Sequence, residues 1–544
     1  MFKHTSLILV AAFVFFNGCS SYNDVDYTPT FVGPISDNPS WYGDSSVKVS
    51  QMDVFIPTPN TSLCAPYDNQ FGPLHPCTLE DVNNDIYRDD LYKPELNVRL
   101  STATFNNPNE LTNAVMRMKG DYSRQADQKS YRVKLDSSRV LLNGERTMIL
   151  NKHQADVTRV KNKLAFDLFK NIPNFVSLKT EFVNLKINGV DKGLFTRVEE
   201  VKKEFLVNRG WSKNDRIYKA NNFLFHESDD FDIDSDGDII NPEAFDIKLE
   251  AETGENHTAF AKMLAAVNTD MSDAAFDIVF NKYFDRANYL TWMAINIIIG
   301  NKDTTQHNYS LYNPEYSETF YFIPWDYDGA WATKRYLTKY QYGYGVWWDV
   351  LLHRKFLKIA KNRADLHNMI YYLRDKYFSP EIVQKHLDSY DPIVRAYLSK
   401  LPDSQYLDLE YWETNLNLFN AKIDNCIAMY EEEIGHPMPF EQDISTDGLI
   451  KWTQSVDLEG NQMVYEFKIS SNSDMNSSVI YSANNINALQ YKVDLNVLKP
   501  GAYYLQVISR ETGLDGNTSH YQHAYSEVGD EIKSAMGVLE FFVP

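Results

Sequence analysis

The sequence predicts an α+β chain: a strand-rich half, a helical half, then a small β-sandwich. Three observations carry this. Residues 95–201 alternate polar and apolar side chains at period two, with one embedded helix. Residues 258–434 space their apolar side chains as helices do. From residue 464 onward, short strands recur at the spacing of a sandwich.

The first residues read as processing signal. Lys3 supplies a basic start, and Leu7 to Phe16 form an apolar stretch too short to span a membrane, so 1–18 is predicted to be a signal peptide. Phe16-Asn17-Gly18-Cys19 reads as a lipobox, although Phe16 and Asn17 depart from the usual Leu and small residue. Cys19 is then the acylated residue, and the polar stretch that follows predicts a tether over 19–46. This makes the chain an exported envelope protein whose only membrane contact is its N-terminal lipid anchor.

The folded part is expected to start at the strand Val47 to Ile56, followed by a loop-rich stretch from Pro57 to Lys93. That stretch holds Cys64 and Cys77, which an exported chain can join as a disulfide, whereas Cys426 falls on a helical pattern and is expected to be buried. Leu96–Leu100, Val115–Lys119 and Tyr131–Leu135 alternate as strands, and Thr158–Lys170 has helical spacing. Phe182–Ile187, the turn Asn188-Gly189, and Gly193–Val198 form a hairpin signal. Tyr289–Ile299 is nearly all apolar and predicts a central helix, followed by a hairpin of Tyr309–Tyr312 and Thr319–Ile323. Composition shifts again after Pro437-Met438-Pro439. The expected domains are therefore 47–440, in two lobes meeting near 205, and 441–544.

With 43% hydrophobic and 23% charged residues the chain is not disordered, and a net charge of −21 without a basic block excludes nucleic acid as a partner. The chemistry concentrates in two stretches, Asp303-Thr-Thr-Gln-His307-Asn308 and Trp325-Asp326-Tyr327-Asp328-Gly329. Asp303 and Asn308 have the Asp-x-x-x-x-Asn spacing of a kinase catalytic loop, and a hairpin then leads to a second acidic turn. Phosphoryl transfer needs oxygen ligands for Mg²⁺ and a carboxylate at the nucleophile. His307 fits a supporting hydrogen-bonding role better than that of a ligand.

The order of blocks resembles the CotH (spore-coat protein H) family of atypical kinases. Lys119-Gly120-Asp-Tyr-Ser123-Arg124, then Lys129-Ser-Tyr131-Arg-Val-Lys134, is similar to its Lys-Gly-x-x-Ser-Arg and Lys-x-Tyr-x-x-Lys block. Asn162–Leu168, Gly193–Glu200, Asp303–Asn308 and Phe322–Asp328 follow in family order across residues 95–440. The resemblance implies a two-lobed kinase-like fold that binds ATP with Mg²⁺ and phosphorylates Ser or Thr of a secreted or surface protein. It implies Asp303 as base and Asn308, Asp326 and Asp328 as metal ligands. Gly120, Ser123 and Arg124 would cover phosphates, Lys134 would pair with them, and Glu199 or Glu200 would face adenine or ribose. The helix over 158–170 offers no Glu to orient the lysine. That gap favours the alternative, a kinase-like surface protein that binds a protein or glycan without turnover.

Asp232, Asp234, Asp236, Asp238 and Glu243, with Gly237, fit the template of a Ca²⁺ loop, although nothing before them reads as an EF-hand helix. Trp452–Gly460 with Leu498–Tyr504 resembles fibronectin type III-like modules.

Overall fold

The computed structural model describes residues 29, 35, 37–43, 48–87, 92–120, 122–154, 156–331, 344–512, 521–524 and 537–544. The expected signal peptide, lipobox and Cys19 lie outside the described residues. Among the described residues, no helix is long and apolar enough to cross a membrane.

Seven strands form the first lobe: β1 Val49–Phe55, β2 Leu96–Thr102, β3 Ala114–Met118, β4 Tyr131–Leu135, β5 Thr147–Asn151, β6 Thr180–Ile187 and β7 Val190–Glu199. They close into a barrel in the order β1-β2-β3-β4-β5-β7-β6, with β1 parallel to β6 at the closure. Period-two alternation is the cause. Met52, Val98, Met116, Val133, Met148 and Leu185 all point inward and form one core. β5 was not predicted, because all five of its residues are buried and it lacks the alternation that marks the others.

The second lobe is helical around a four-stranded sheet. Helix α1, Lys161–Phe169, runs between the lobes. The sheet comprises β8 Arg216–Ala220, β9 Leu249–Thr253, β10 Tyr309–Asn313 and β11 Tyr321–Pro324, in the order β9-β8-β10-β11. Only the β10–β11 hairpin was legible in the sequence. Nine helices named here follow α1: α2 Pro242–Lys248, α3 Thr258–Asn268, α4 Asp273–Tyr283, α5 Arg286–Ile298, α6 Leu351–Lys358, α7 Ala360–Tyr377, α8 Pro380–Leu398, α9 Leu409–Leu416 and α10 Phe419–Glu433. The expected central helix is α5, buried from Asn288 to Ile298. It is stitched to the hairpin by Asn288, which donates to the Phe322 carbonyl at 3.2 Å and accepts from the Phe322 amide at 2.7 Å.

The end of the chain is a separate β-sandwich. One sheet comprises β12 Gln442–Ile444, β13 Leu449–Trp452 and β16 Gln490–Lys492. The other comprises β14 Met463–Ser470, β15 Val479–Ile486, β17 Gly501–Glu511, β18 Tyr521–His523 and β19 Leu539–Val543. Cys64 and Cys77 are disulfide-bonded, and Cys426 is free and buried.

Two features lie beyond the sequence reading. The stretch assigned to the tether includes residues packed on the folded part: the Trp41 indole donates to Glu199 at 3.0 Å, and Asp37 meets the Arg209 guanidinium at 3.2 Å. The lobes are also cross-tied through Asp403, which accepts from the Leu194 amide at 2.8 Å and from Lys152 Nζ at 2.6 Å. A side chain at Gly193 would meet the Asp403 carboxylate at 2.1 Å, so glycine is required there.

The barrel also encloses Glu145, whose carboxylate lies 3.4 Å from Arg197. Burial pushes its pKa up to about 7 despite that cation. Its folded-state pKa is raised, so its stabilising contribution is full at acid pH and lost as pH rises through about 7. Urea unfolding should therefore show Glu145→Gln gaining on the wild type between pH 5 and pH 8.

Candidate active site

The site is built by the register of one hairpin. Tyr309 pairs with Pro324, and the ladder continues one step further, with the Trp325 amide donating to the Asn308 carbonyl at 3.2 Å. Asn308 is thereby set opposite Trp325, with Asp326 the next residue beyond the strand end. Both backbones are left-handed, with φ of 58° at Asn308 and 53° at Asp326. Non-glycine residues hold that conformation at an energetic cost, and such strain concentrates at functional sites.

Asp303, largely exposed, accepts from the Asn308 amide nitrogen at 2.8 Å and meets His307 Nε2 at 2.6 Å. A side chain at Gly329 would lie 3.8 Å from Asp303 Cβ, so Asp303 lies near the end of the acidic turn. Asp328 sits in that turn. The Asp326 charge first, and burial second, push the Asp328 carboxyl up to about 7.

Helix α1 locks this turn from behind. Asn162, fully buried, accepts from the Tyr327 amide at 2.7 Å and reaches Asp326 at 3.5 Å. Lys161 donates to the Asp328 carbonyl at 3.0 Å. From the barrel, Lys119 Nζ meets Asp326 Oδ2 at 3.2 Å. Lys302, next to Asp303 in the chain, is held down to about 8 by burial, with Cys426 and Glu433 as its charged neighbours.

The sequence-predicted residues divide clearly. Asp303 and Asn308 are hydrogen-bonded to each other, and Asp326 and Asp328 share the neighbouring acidic turn. Lys134 does not join them: it is exposed on the outer face of β4, opposite Val115, whereas Lys119 lies level with Ser130. Four residues of strand separate the two lysines, roughly 13 Å. The lysine that faces the acids is therefore Lys119, the residue just before the Gly120 loop.

Gly120 adopts φ of 82°, which glycine tolerates and other residues do not. Ser123 lies in a 3-10 turn, Tyr122–Gln125, and its side chain is outside the described residues. Arg124 is buried, with its guanidinium on Asp85 at 3.1 Å and on the Tyr87 carbonyl at 2.7 Å. Its charge is committed to holding the loop and does not face the acidic turn. Glu199 is likewise a structural group, buried and gripped by both Arg209 terminal nitrogens at 2.9 and 3.0 Å. Glu200 turns outward and pairs with Arg132 at 2.9 Å.

The Ca²⁺ template is not realised. Asp234 accepts from the Asp236 and Asp238 amides, and Glu243 is exposed in the first turn of α2, behind the Asn241 cap. Asp232, Asp234, Asp236, Asp238 and Glu243 form no convergent ligand set. Asp234 is thereby spent on local turns. Among the described residues, Cys64, His75 and Asp81 are the one group of three possible ligands within 4.8 Å of one another, and Cys64 is disulfide-bonded.

The CotH kinase protein family matches residues 116–425, more than half of the chain. The chain belongs to the CotH kinase protein family. Over 264 residues it is 27% identical to the inner spore coat protein H of Bacillus subtilis (strain 168), covering 48% of this chain and 67% of that protein. A crystal structure of the Helicobacter pylori proinflammatory kinase CtkA aligns at TM-score 0.22 and 11% identity, covering 55% of this chain and 94% of that one. In this CotH chain Asp303, Asn308 and Asp326 thus lie inside the family match, as do Lys119 and Asn162.

Asn162 carries a prediction. Asn162→Leu leaves the Tyr327 amide unsatisfied in the core, which should cost about 1–3 kcal/mol of stability in urea unfolding.

Proposed function

We propose that the chain is an ATP-dependent kinase that phosphorylates Ser or Thr of an exported protein. The observation that carries this reading is a hydrogen-bonded Asp303–Asn308 pair beside an acidic turn, Asp326 and Asp328, that is met by a lysine from the opposite lobe, Lys119 to Asp326 at 3.2 Å.

Asp303, exposed between His307 and Asn308, is placed to accept the proton of a substrate hydroxyl. The hydroxyl oxygen then bonds to the γ-phosphorus as the bond to the β–γ bridging oxygen breaks, leaving ADP. Lys119 supplies a fixed cation on the barrel side, where phosphate oxygens gather charge.

The donors Asn308, Asp326 and Asp328 are oxygen ligands of the kind Mg²⁺ takes, and two crowded carboxylates, one raised to about 7 by the other, suit a divalent cation. Mg²⁺ held there would offset charge on the transferred phosphoryl group. The nucleotide's base and ribose have a groove of about 460 Å³ on the same outer face, lined by Arg117, Arg132 and Glu95 among others. Guanidinium planes stack on flat rings, so Arg117 and Arg132 are candidates for the roof.

A second reading keeps the fold without turnover. It is favoured by α1, whose only acid, Asp167, is committed to Lys163 at 2.7 Å and so is not available to Lys119. A lipid anchor at Cys19 and a fibronectin-like role for the sandwich, spacing or docking the kinase domain, complete the proposal.

Isothermal titration of ATP, with and without Mg²⁺, separates the readings. Metal-dependent binding is expected in wild type and should vanish in Asp326→Ala. Lys119→Met should weaken it about 10- to 100-fold. A folded wild type that binds no ATP removes the kinase reading and leaves a binding protein. A protein fragment for this purpose should begin before Asp37, since Trp41 and Arg209 share the Glu199 carboxylate.

A further inference from the structure

One group of metal-ligand side chains lies outside the acidic centre, in the loop-rich stretch before β2. Leu63–Cys64 pairs antiparallel with His75–Pro76, and Cys64 stands directly opposite His75. The pairing runs on to Cys77, whose amide donates to the Ser62 carbonyl at 2.9 Å. Opposed residues of such a ladder share a face, and so do residues two positions apart, so two sulfurs and an imidazole stand on one side. Asp81, from the short helix Leu79–Asn83, completes the group. One ligand atom each of Cys64, His75 and Asp81 lies within 4.8 Å of the others. A tetrahedral Zn²⁺ holds its ligand atoms about 3.4–3.8 Å apart, so small side-chain shifts suffice to enclose one.

The bonding of Asp81 leaves a donor for a cation. Its Oδ2 accepts from the Thr78 amide at 2.8 Å and the Thr78 hydroxyl at 2.6 Å, and meets His75 Nε2 at 2.9 Å. Oδ1 accepts no hydrogen bond among the described residues, although Asp81 is buried. Capping of the helix accounts for Thr78 but not for His75. Two sulfurs, an imidazole and a carboxylate oxygen without a partner are the donor set that Zn²⁺ takes. His75 is partly exposed, which gives an ion a way in.

With the disulfide closed, the sulfurs are bonded to each other and offer no thiolate. Opening it takes two electrons and two protons, supplied by a dithiol that is itself oxidised to a disulfide. Zn²⁺ then displaces the two thiol protons to solvent and takes His75 in its neutral form.

We propose that Cys64, His75, Cys77 and Asp81 form a redox-gated Zn²⁺ site, closed as a disulfide and metal-binding as a dithiol. Either state pins the stretch that leads to Asp85 and Tyr87, which hold Arg124 against the Gly120 carbonyl. The site rests on none of the kinase assignments.

The test is titration of the full chain with Co²⁺, a spectroscopic stand-in for Zn²⁺, before and after reduction by a phosphine, which offers the metal no thiolate of its own. The reduced chain should show thiolate-to-Co²⁺ charge-transfer absorption together with the intense visible bands of tetrahedral Co²⁺. The oxidised chain should show neither. Co²⁺ on the oxygen donors of the acidic turn gives no thiolate band, so the two sites are told apart. His75→Ala, which keeps the disulfide when oxidised, should weaken binding to the reduced chain about 10- to 100-fold, and Cys426→Ser should leave it unchanged. A reduced wild type without the thiolate band overturns the site. So does a band that survives in the Cys64→Ser, Cys77→Ser double variant, a band that Cys426→Ser removes, or an affinity that His75→Ala does not change.

Discussion

Asp326 and Asp328 are forced into one turn, and the architecture around that turn answers the resulting repulsion. Two carboxylates this close do not both stay ionised without a cation, which is why Asp328 holds its proton to about pH 7. A fold selected only for stability would not keep such a pair. Here the pair is held by a left-handed Asp326 backbone, by the buried Asn162 behind it, and by a lysine from each side.

Holding a charged turn between two lobes requires the lobes themselves to be fixed. The Glu199–Arg209 pair and the Asp403 plug do this at separate places. One bonds the last strand of the barrel to the segment that leads into the helical lobe, and the other inserts a carboxylate from beyond α8 into the β6–β7 hairpin. Buried ion pairs of this kind add little net stability over apolar packing, but they are costly to break singly and so specify one arrangement. The Lys119–Asp326 contact is then a consequence of fixed lobes, not the device that fixes them.

Much of this was legible in the sequence where geometry follows local pattern. Period two gave six of the seven barrel strands, and the hairpin that follows Asp303 and Asn308 was legible as well. Where side-chain roles depend on partners distant in sequence, the reading failed. Lys134 and Lys119 look alike as strand lysines, and only the approach of residue 326 from the other lobe distinguishes them. Arg124 looked free until Asp85, 39 positions earlier, claimed it. Glu199 was assigned to the nucleotide because nothing local reveals Arg209 and Trp41 around it. The acidic loop at 232–243 shows a different limit: its template counts residue types, whereas ligation needs them to converge, and Asp234 accepts from two amides of its own loop.

The charges of the centre also bear on how a nucleotide would enter. Asp156, Asp303, Asp326 and Asp328 stand against Lys119, Lys161, Lys302 and Lys422, so the four acids and four ammoniums are close to balance. A triphosphate entering alone would tip the balance negative at the very turn where carboxylates already repel. A divalent cation entering alone would leave positive charge unmatched beside Lys119. Entering together, the divalent cation offsets about half of the triphosphate's charge, one answering the crowded acids and the other the lysines. The same logic holds on the barrel side of the turn. Lys119 is already answered by Asp326 before any ligand arrives, so a ligand there must exchange partners.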